Sequence, residues 1–383
     1  MMLSDWTLWL EWFVKSVFVI FALLTGFAYL TLYERRALAR IQTRIGPNRA
    51  GPQGLLQPIA DAVKLIFKEE LVPAKADRIL FFWAPVITMV PSIILAAAIP
   101  FGPENVPLFG RKISLSVANI NVGVLYLMSI ASIAVYGIVL AGWSSNNKYA
   151  MLGGLRSSAQ MISYELSLGL MFVTAIILSN SMNLYEIVEE QSTMWFAVIQ
   201  PVGALIFLIV TLAEVNRAPF DMPEAEQELT AGYHSEYSGM KFALFFMAEY
   251  QKMIVISMIA ATLYFGGYRE FWFLQNTILS VKHFWWLGPI YLLLKVVVLL
   301  FFMIWVRATW PRVRYDRLMA FGWKVLLPLS LAIAFITAAG VLLAQELHNP
   351  MLIWTIPITS IVVGLFTVVM IYRELRRKLY ERA

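Results

Sequence analysis

Residues 214–228 read EVNRAPFDMPEAEQE and lie between two long apolar runs, at 195–213 and 242–265. This segment holds five carboxylates and one arginine within fifteen residues. Because the segment is short and both flanking runs are apolar, its charged residues must lie at a membrane surface or in a loop that folds back towards the membrane. Ionisable groups at that depth are typical of proton handling or of a charged partner. The sequence therefore predicts that the rest of the chain is the scaffold that places this segment.

The composition is that of a membrane protein. The chain has 383 residues, of which 60% are hydrophobic and 14% are charged, and its mean hydropathy is +0.71. Soluble domains carry about 25% charged residues. The absence of cysteine excludes disulfides, cysteine-ligated iron–sulfur clusters and thiolate nucleophiles within this chain.

Nine apolar runs approach the roughly 20 residues that a transmembrane helix needs. They lie near 12–33, 79–101, 119–142, 160–180, 195–214, 242–265, 287–307, 324–345 and 352–372. We therefore expect an all-α integral membrane protein with about nine transmembrane helices, forming a single membrane domain over residues 1–383. The acidic segment falls in a loop at 215–241, between the fifth and sixth runs.

The distribution of lysine and arginine predicts the orientation in the membrane. The loop at 34–78 alone holds nine of these residues, and the alternate loops and the C-terminal tail add most of the others. Because basic residues favour the cytoplasmic side, the N-terminus is expected outside and the C-terminus in the cytoplasm. The net charge of +6 is then a sign of topology, so nucleic-acid binding is not expected.

A shorter amphipathic stretch lies near 55–68, within the long basic loop. Apolar residues recur there at helical spacing, namely Leu55, Ile59, Ala62, Val63, Ile66 and Phe67. Asp61 and Lys64 fall on the opposing face. A helix of this length cannot cross the bilayer, so it is expected to lie along the cytoplasmic surface. Spacing alone leaves open whether it is an ordinary anchor or part of a site.

Ionisable residues inside the apolar runs are the main candidates for chemistry. Glu165, Glu214 and Glu249 fall within runs, where a charge costs about 3 kcal/mol on insertion scales. They are interpreted as a proton path; the alternative is that each is neutral and hydrogen-bonded to a neighbouring helix. Lys252 shares a helix face with Glu249 and could pair with it. Lys295 lies deep in the seventh run and should have a buried partner.

Other recognisable sites are missing from the sequence. It contains no Gly-rich phosphate loop, no nucleophile elbow and no metal-ligand spacing, so no metal site is predicted. Any redox chemistry must therefore be shared with other subunits.

Two long motifs carry a resemblance to a known family. The first comprises ERR at 34–36 and RIGPNRAGPQGLLQPIADA at 44–62. The second is PFDMPEAEQEL at 219–229, followed by EYSG at 236–239. Shorter matches are AQMISYE at 159–165, AEY at 248–250 and RATWPR at 307–312. Over roughly residues 12–346 the chain resembles the quinone-site membrane subunit of respiratory complex I, also called the H subunit or subunit 1 of NADH:quinone oxidoreductase. The ninth run resembles the extra C-terminal helix of bacterial members.

The resemblance implies a set of site residues. The quinone chamber and its loop would include Glu34, Arg36, Arg44, Asp61, Lys64, Arg217, Phe220, Asp221, Glu224, Glu226 and Glu228. The proton path would include Glu165, Glu214, Glu249, Lys252 and Lys295. The first and sixth spans and the surface helix would frame an entrance for the quinone tail. Quinone reduction would change charge in the chamber and so alter protonation of Glu214, and then of the other two glutamates.

The resemblance also implies partners and a location. The substrate would be ubiquinone or menaquinone, while FMN and iron–sulfur clusters would reside only in partner subunits. Those partners would be the peripheral-arm subunits at the quinone site and the small and antiporter-like membrane subunits, all set among membrane lipid. The location would be the bacterial cytoplasmic (inner) membrane. Two alternatives remain open: a related subunit of an energy-converting hydrogenase, and a stand-alone proton-coupled transporter.

Overall fold

The computed structural model describes residues 2–108, 111–221, 232–275, 277 and 279–380. The regular secondary structure of this part of the chain is helical except for one short hairpin. The helices are α1 (Met2–Ile41), α2 (Gln57–Ile66), α3 (Arg78–Ile94), α4 (Gly123–Ser144), α5 (Lys148–Ser179), α6 (Leu184–Glu190), α7 (Phe196–Ile199), α8 (Pro201–Glu214), α9 (Gly239–Tyr264), α10 (Leu287–Thr309), α11 (Tyr315–Phe321), α12 (Leu327–Glu346) and α13 (Thr355–Tyr380). Strands β1 (Val106–Leu108) and β2 (Arg111–Ile113) pair antiparallel, with Val106 opposite Ile113.

Eight helical segments of the described chain are long and apolar enough to cross a membrane. They are formed by α1, α3, α4, α5, α9, α10, the continuous run of α11 into α12, and α13. A bilayer contains no water to satisfy exposed backbone groups, so helices are the expected solution for these apolar runs. The expectation of an all-α integral membrane protein is confirmed.

The run at 195–214 differs from a simple span because it is broken at Gln200. Gln200 has φ −130° and ψ 68°, and α8 starts at the next residue, Pro201. Proline disfavours helical geometry in the residue before it. The 14 residues of α8 reach only about 21 Å, which is short of the roughly 30 Å hydrocarbon core. The buried Gln200 amide donates to Thr337 of α12, so a neighbouring helix covers the break.

The buried core lies among α5, α8, α9 and α10. Phe207 of α8 packs edge-on against Phe172 of α5, with ring centroids 5.8 Å apart, and contacts Tyr264 of α9 at 5.2 Å. The Tyr264 hydroxyl donates to the carbonyl of Met171 at 2.9 Å. This aromatic contact fixes three helices to one another on the side of the core away from Glu214.

The short helix α2 has the character predicted for the 55–68 stretch. Ile59, Val63 and Ile66 are all exposed, as a helix that rests its apolar face on a membrane requires. Asp61 pairs with Arg35 of α1 at 2.6 Å, and Gln57 donates to the other oxygen of Asp61 at 3.1 Å. The helix is therefore tied to the C-terminal part of α1.

Helices α3 and α4 approach too closely for a side chain at Gly137. A methyl group at Gly137 would collide with the Thr88 hydroxyl and would lie 2.8 Å from the Ala84 carbonyl. We expect Gly137→Ala to destabilise the protein by about 1–3 kcal/mol, because the helices must separate. The measurement is the thermal transition of the detergent-solubilised protein.

Gly26→Ala is the matched control, since its methyl group would meet only the flexible end of Ile254, at 3.3 Å. Equal transitions for the two variants would contradict the close approach of α3 and α4.

Candidate functional site

Four charged side chains from distant parts of the chain meet in a buried cluster. Arg217 Nε lies 2.8 Å from Glu249 Oε1 of α9, and Arg217 Nη2 lies 3.5 Å from Glu34 Oε2 of α1. The other oxygen of Glu34 pairs with Arg307 in the last turn of α10. Arg217 and Glu34 are only 2% and 3% exposed. The cluster therefore joins α1, α9 and α10 through the segment that follows α8.

The environment keeps Arg217 charged. Burial lowers the pKa of Arg217, but the carboxylates of Glu249 and Glu34 outweigh burial and raise that pKa above its ordinary value. Its guanidinium also lies over the ring of Tyr250, 4.2 Å from the centroid, in a cation–π contact. Arg217 is thus a permanent cation between two carboxylates and an aromatic face.

The local sequence explains how the chain turns at this point. Asn216 has φ 55°, a left-handed conformation that asparagine tolerates better than most residues. Its backbone N–H donates to the Ala213 carbonyl at 3.2 Å, and the Arg217 N–H donates to the Leu212 carbonyl at 3.2 Å. This is the Schellman pattern that ends helices. It places Glu214, the last residue of α8, three residues before Arg217.

Glu214 and Lys252 form a second buried ion pair, between α8 and α9. Lys252 Nζ lies 2.7 Å from Glu214 Oε1. Glu249 and Lys252 share a face of α9, and their spacing suggested that they pair with each other. The structure instead gives each its own partner, Arg217 for Glu249 and Glu214 for Lys252. One helix face of α9 therefore serves both ion pairs.

Two small cavities adjoin the Glu214–Lys252 pair. One, of about 40 Å³, is lined by Glu249, Asp221 and Asn216 together with the pair. The other, of about 30 Å³, is lined by Glu165 and the pair, with apolar residues around them. A buried water needs about 10–15 Å³ in this measure, so each cavity has room for water. Glu214 lines both cavities and so lies between the half-buried Glu249 and Glu165, whereas the sequence suggested that it comes first in order.

Glu165 has a polar partner on the neighbouring helix. It accepts a hydrogen bond from the hydroxyl of Ser132 in α4. A hydroxyl can bond to a neutral or an ionised carboxyl group. This contact alone therefore fits both the proton-path interpretation and the neutral alternative.

The described start of the acidic loop is anchored. Asp221, which is 1% exposed, pairs with Arg312 at 2.9 Å. Phe220 is buried and contacts the ring of Tyr164 on α5, with centroids 6.0 Å apart. The predicted site residues Glu224, Glu226 and Glu228 lie outside the described residues.

Other predicted chamber residues lie on α1, on α2 and in the turn that follows α1. Asp61 pairs with Arg35, as described above, and Lys64 is exposed on α2. Arg36 is half-buried, one position along α1 from Arg35, and Arg44 Nε donates to the Gln42 side chain at 2.8 Å in an exposed turn. The structure does not bring these residues into ion-pair contact with the Arg217 cluster in the part of the chain that it describes.

Lys295 lies apart from the two cavities. Its ammonium donates to the carbonyls of Gly267 and Arg269, at 2.9 and 2.7 Å, in the loop that follows α9. It also lies 4.9 Å from the ring centroid of Trp195. The buried Lys295 therefore has partners, as expected, but in these contacts they are two backbone carbonyls and an aromatic ring. Lys295 thus contacts the loop at the C-terminal end of α9, whereas Glu249 and Lys252 lie near the middle of that helix.

Sequence reasoning missed several residues of the site. Arg307, Arg312 and Ser132 pair with predicted acids, and Tyr250 supports Arg217, but none was assigned a role from the sequence. Arg307 is 273 positions from Glu34, so spacing carries no information about the contact. The available signal was that Arg307 lies in the last turn of an apolar helix and is the first residue of the RATWPR motif at 307–312.

A larger apolar groove, of about 570 Å³, runs between α1, α9 and α10. It extends along α1 from Lys15 to Tyr33, the residue before Glu34. Ile254 and Met258 of α9 and Val297 of α10 contribute to its walls. The groove therefore ends beside the buried charge cluster.

Comparisons with known proteins agree on one family. The family model described as NADH dehydrogenase matches residues 14–338. A protein of Thermomicrobium roseum, named as the H subunit of NADH-quinone oxidoreductase, is 49% identical over 337 residues, covering 85% of this chain and 95% of that protein. An H subunit of Geobacter metallireducens, numbered 2, is 50% identical, covering 82% and 90%. The H subunit of Streptomyces avermitilis is 43% identical, covering 88% and 74%.

The Arg217 cluster predicts a specific pattern of stability. We expect Arg217→Met to destabilise the protein by about 3–5 kcal/mol, because Glu249 loses a buried counter-charge. Combining Arg217→Met with Glu249→Gln should restore part of the lost stability, because the second substitution removes the carboxylate that Arg217→Met leaves unpaired. The readouts are protein level in membranes and thermal stability after detergent extraction.

Arg314→Met is the control, because Arg314 forms an exposed pair with Asp316 and such pairs contribute at most about 1 kcal/mol. A double variant no more stable than Arg217→Met would show that the buried pair does not act as described.

Proposed function

Because the chain belongs to the NADH dehydrogenase family, with relatives named as the H subunit of NADH-quinone oxidoreductase, we propose that it helps form a quinone chamber and couples quinone reduction to proton translocation. It would do so as a membrane subunit of a proton-pumping NADH:quinone oxidoreductase. The observation that carries the proposal is the arrangement of three acids, of which Glu214 is buried and Glu249 and Glu165 are half-buried. Glu249 lies at the charge cluster, Glu214 lies between two cavities, and Glu165 lines the second one.

The coupling would be electrostatic. Two unit charges about 4 Å apart interact with an energy of about 4 kcal/mol at an effective dielectric constant of about 20. A charge change that draws Arg217 or Glu249 towards the chamber would therefore alter how strongly Glu214 and Lys252 attract each other. Water in the two cavities would carry protons between neighbouring acids. In this proposal the chain itself would hold the acids, their cationic partners and the two cavities at fixed positions relative to one another.

The Lys252–Glu214 pair would set the sequence of events. A proton that reaches Glu214 neutralises the carboxylate and leaves Lys252 as an uncompensated buried cation, which is unfavourable at low dielectric. Lys252 then repels the next proton until the first one moves on towards Glu165. The pair would thus limit backflow without a large movement of the helices.

The groove between α1, α9 and α10 supports a place for the quinone tail. Its walls are apolar, it is about 570 Å³ in volume, and its inner end lies beside Glu34. An isoprenoid tail is apolar and would rest there, with the polar headgroup towards Arg217, Arg36, Asp61 and the acidic loop. Helix α2 does not line the groove, so its proposed part is at the mouth, next to α1.

Partners would supply the remaining chemistry. Flavin and iron–sulfur clusters would belong to peripheral-arm subunits, which would meet the loop at 215–241. The small and antiporter-like membrane subunits would receive the protons. The substrate would be ubiquinone or menaquinone, and the site would be the bacterial cytoplasmic membrane with the N-terminus outside. The names of the relatives favour this function over a hydrogenase subunit or a stand-alone transporter.

Glu214→Gln tests the proposal in the assembled complex. We expect NADH:quinone reduction and proton pumping to fall by on the order of tenfold to a hundredfold, because glutamine cannot exchange a proton. NADH oxidation by ferricyanide should stay at the parent rate, since that reaction needs only the peripheral arm.

Glu189→Gln is the matched control, because Glu189 is an exposed carboxylate paired with Arg269. Parent-level quinone reduction and pumping in Glu214→Gln would refute the proton path.

The groove makes a separate prediction about quinone length. Val297→Trp should narrow the groove, so the KM for a long-tailed quinone should rise while that for a short-tailed analogue stays unchanged. Val298→Trp is the control, because Val298 is exposed on the same helix but does not line the groove. An equal effect on both quinones would argue against tail binding in this groove.

A further inference from the structure

One buried amide holds the segment that carries the charged residues. Gln160 of α5 is completely buried, and its side-chain Nε2 donates to two backbone carbonyls. The acceptors are Ala213 at 2.9 Å and Phe220 at 2.8 Å. An amide nitrogen has two hydrogens, so both are used. A single side chain therefore joins both ends of the turn that follows α8.

The two bonded carbonyls bracket the residues of the site. Ala213 directly precedes Glu214, and Phe220 directly precedes Asp221. Arg217 lies between them. A shift of this turn would move Glu214 relative to Lys252 and Arg217 relative to Glu249, whose contacts are 2.7 and 2.8 Å. Charge interactions in a dry site change steeply with distance.

The same helix carries Glu165, five positions after Gln160. Between them, Tyr164 contacts the ring of Phe220 and its hydroxyl donates to the carbonyl of Leu318 at 2.9 Å. Helix α5 is 32 residues long and continuous. It thus provides one rigid body that holds both the turn at 213–221 and the glutamate beyond the second cavity.

We propose that Gln160 is a positioning residue that fixes Glu214, Arg217 and Asp221 relative to Glu165. It is not itself an acid or a base in the pathway. The inference rests on the proposed function for its effect on coupling. Without the two hydrogen bonds, the turn at 213–221 would move relative to α5, and electron transfer would continue with fewer protons moved.

Gln191 offers a matched control. It is also buried, and its Nε2 donates to the carbonyls of Ile187 and Thr262 at 3.2 and 2.8 Å. It also accepts a hydrogen bond from the Gly266 N–H at 2.9 Å. It therefore makes the same kind of contact at the other end of α9, away from the charge cluster. Its loss should affect stability but not coupling.

The experiment uses Gln160→Met and Gln191→Met in the native complex. Complex content is measured by NADH:ferricyanide activity, and protons moved per electron are measured in vesicles. We expect Gln160→Met to lower this ratio by roughly twofold or more, while Gln191→Met leaves it unchanged. A parent ratio in Gln160→Met, or an equal loss in Gln191→Met, would overturn the inference.

Gln160→Glu is the second variant and serves as the test if Gln160→Met fails to assemble. A protonated glutamic acid keeps one O–H donor at nearly the same place, whereas the ionised form has none. The protons moved per electron should therefore recover as the pH falls and decrease as it rises, relative to the parent at each pH. A pH-independent parent ratio would overturn the inference.

Glu214→Gln measured alongside separates the two ideas. If Glu214→Gln is defective and the Gln160 variants are normal, only the role of Gln160 is wrong. If Glu214→Gln is normal, the proton path itself is wrong, and the Gln160 inference falls with it.

Discussion

The buried guanidinium of Arg217 is the constraint on which the packing of α1, α9 and α10 around the end of α8 depends. A cation that is 2% exposed must have its charge compensated. Compensation comes from Glu249 of α9 and Glu34 of α1, and Glu34 is shared with Arg307 of α10. The requirement to pair one charge thus fixes three helices around the end of α8. Packing of apolar residues alone would tolerate sliding of these helices, whereas directional ion pairs tolerate much less.

Backbone polar groups in the membrane must also have partners within the protein. The short helix α8 and the break at Gln200 are possible because other helices surround them. Gln200 is bonded to Thr337 of α12, and Val202 lies 3.3 Å from where a side chain at Gly364 of α13 would start. Helix α13 lies beyond the residues that the family model matches, 14–338. The C-terminal helix thus adds a layer against α8 on one side, while α9 and the charge cluster lie on another.

The sequence predicts the membrane class, and it identifies the glutamates inside apolar runs, because both features depend on local composition. Apolar runs of about 20 residues indicate membrane helices, and a glutamate inside such a run is visible without any tertiary information. Partners are different, since they come from other helices: Glu34 pairs with Arg307, 273 positions away, and Glu165 accepts a hydrogen bond from Ser132 on the preceding helix. Spacing even suggested a pair between Glu249 and Lys252, two neighbours that the structure gives separate partners. The break at Gln200 follows from Pro201, a signal that the apolar run around it obscured.

The balance of charge links this architecture to the proposed chemistry. The four described charges of the Arg217 cluster sum to zero, as do Glu214 with Lys252 and Asp221 with Arg312. Groups that are neutral as sets interact weakly at a distance, so the resting arrangement is stable in a dry interior. Adding one proton to any carboxylate leaves an uncompensated cation, and at low dielectric that charge acts strongly on its neighbours. In the proposed function, that charge would drive the proton on to the next acid. In the same proposal, locally neutral sets beside water-sized cavities would make protons move one set at a time.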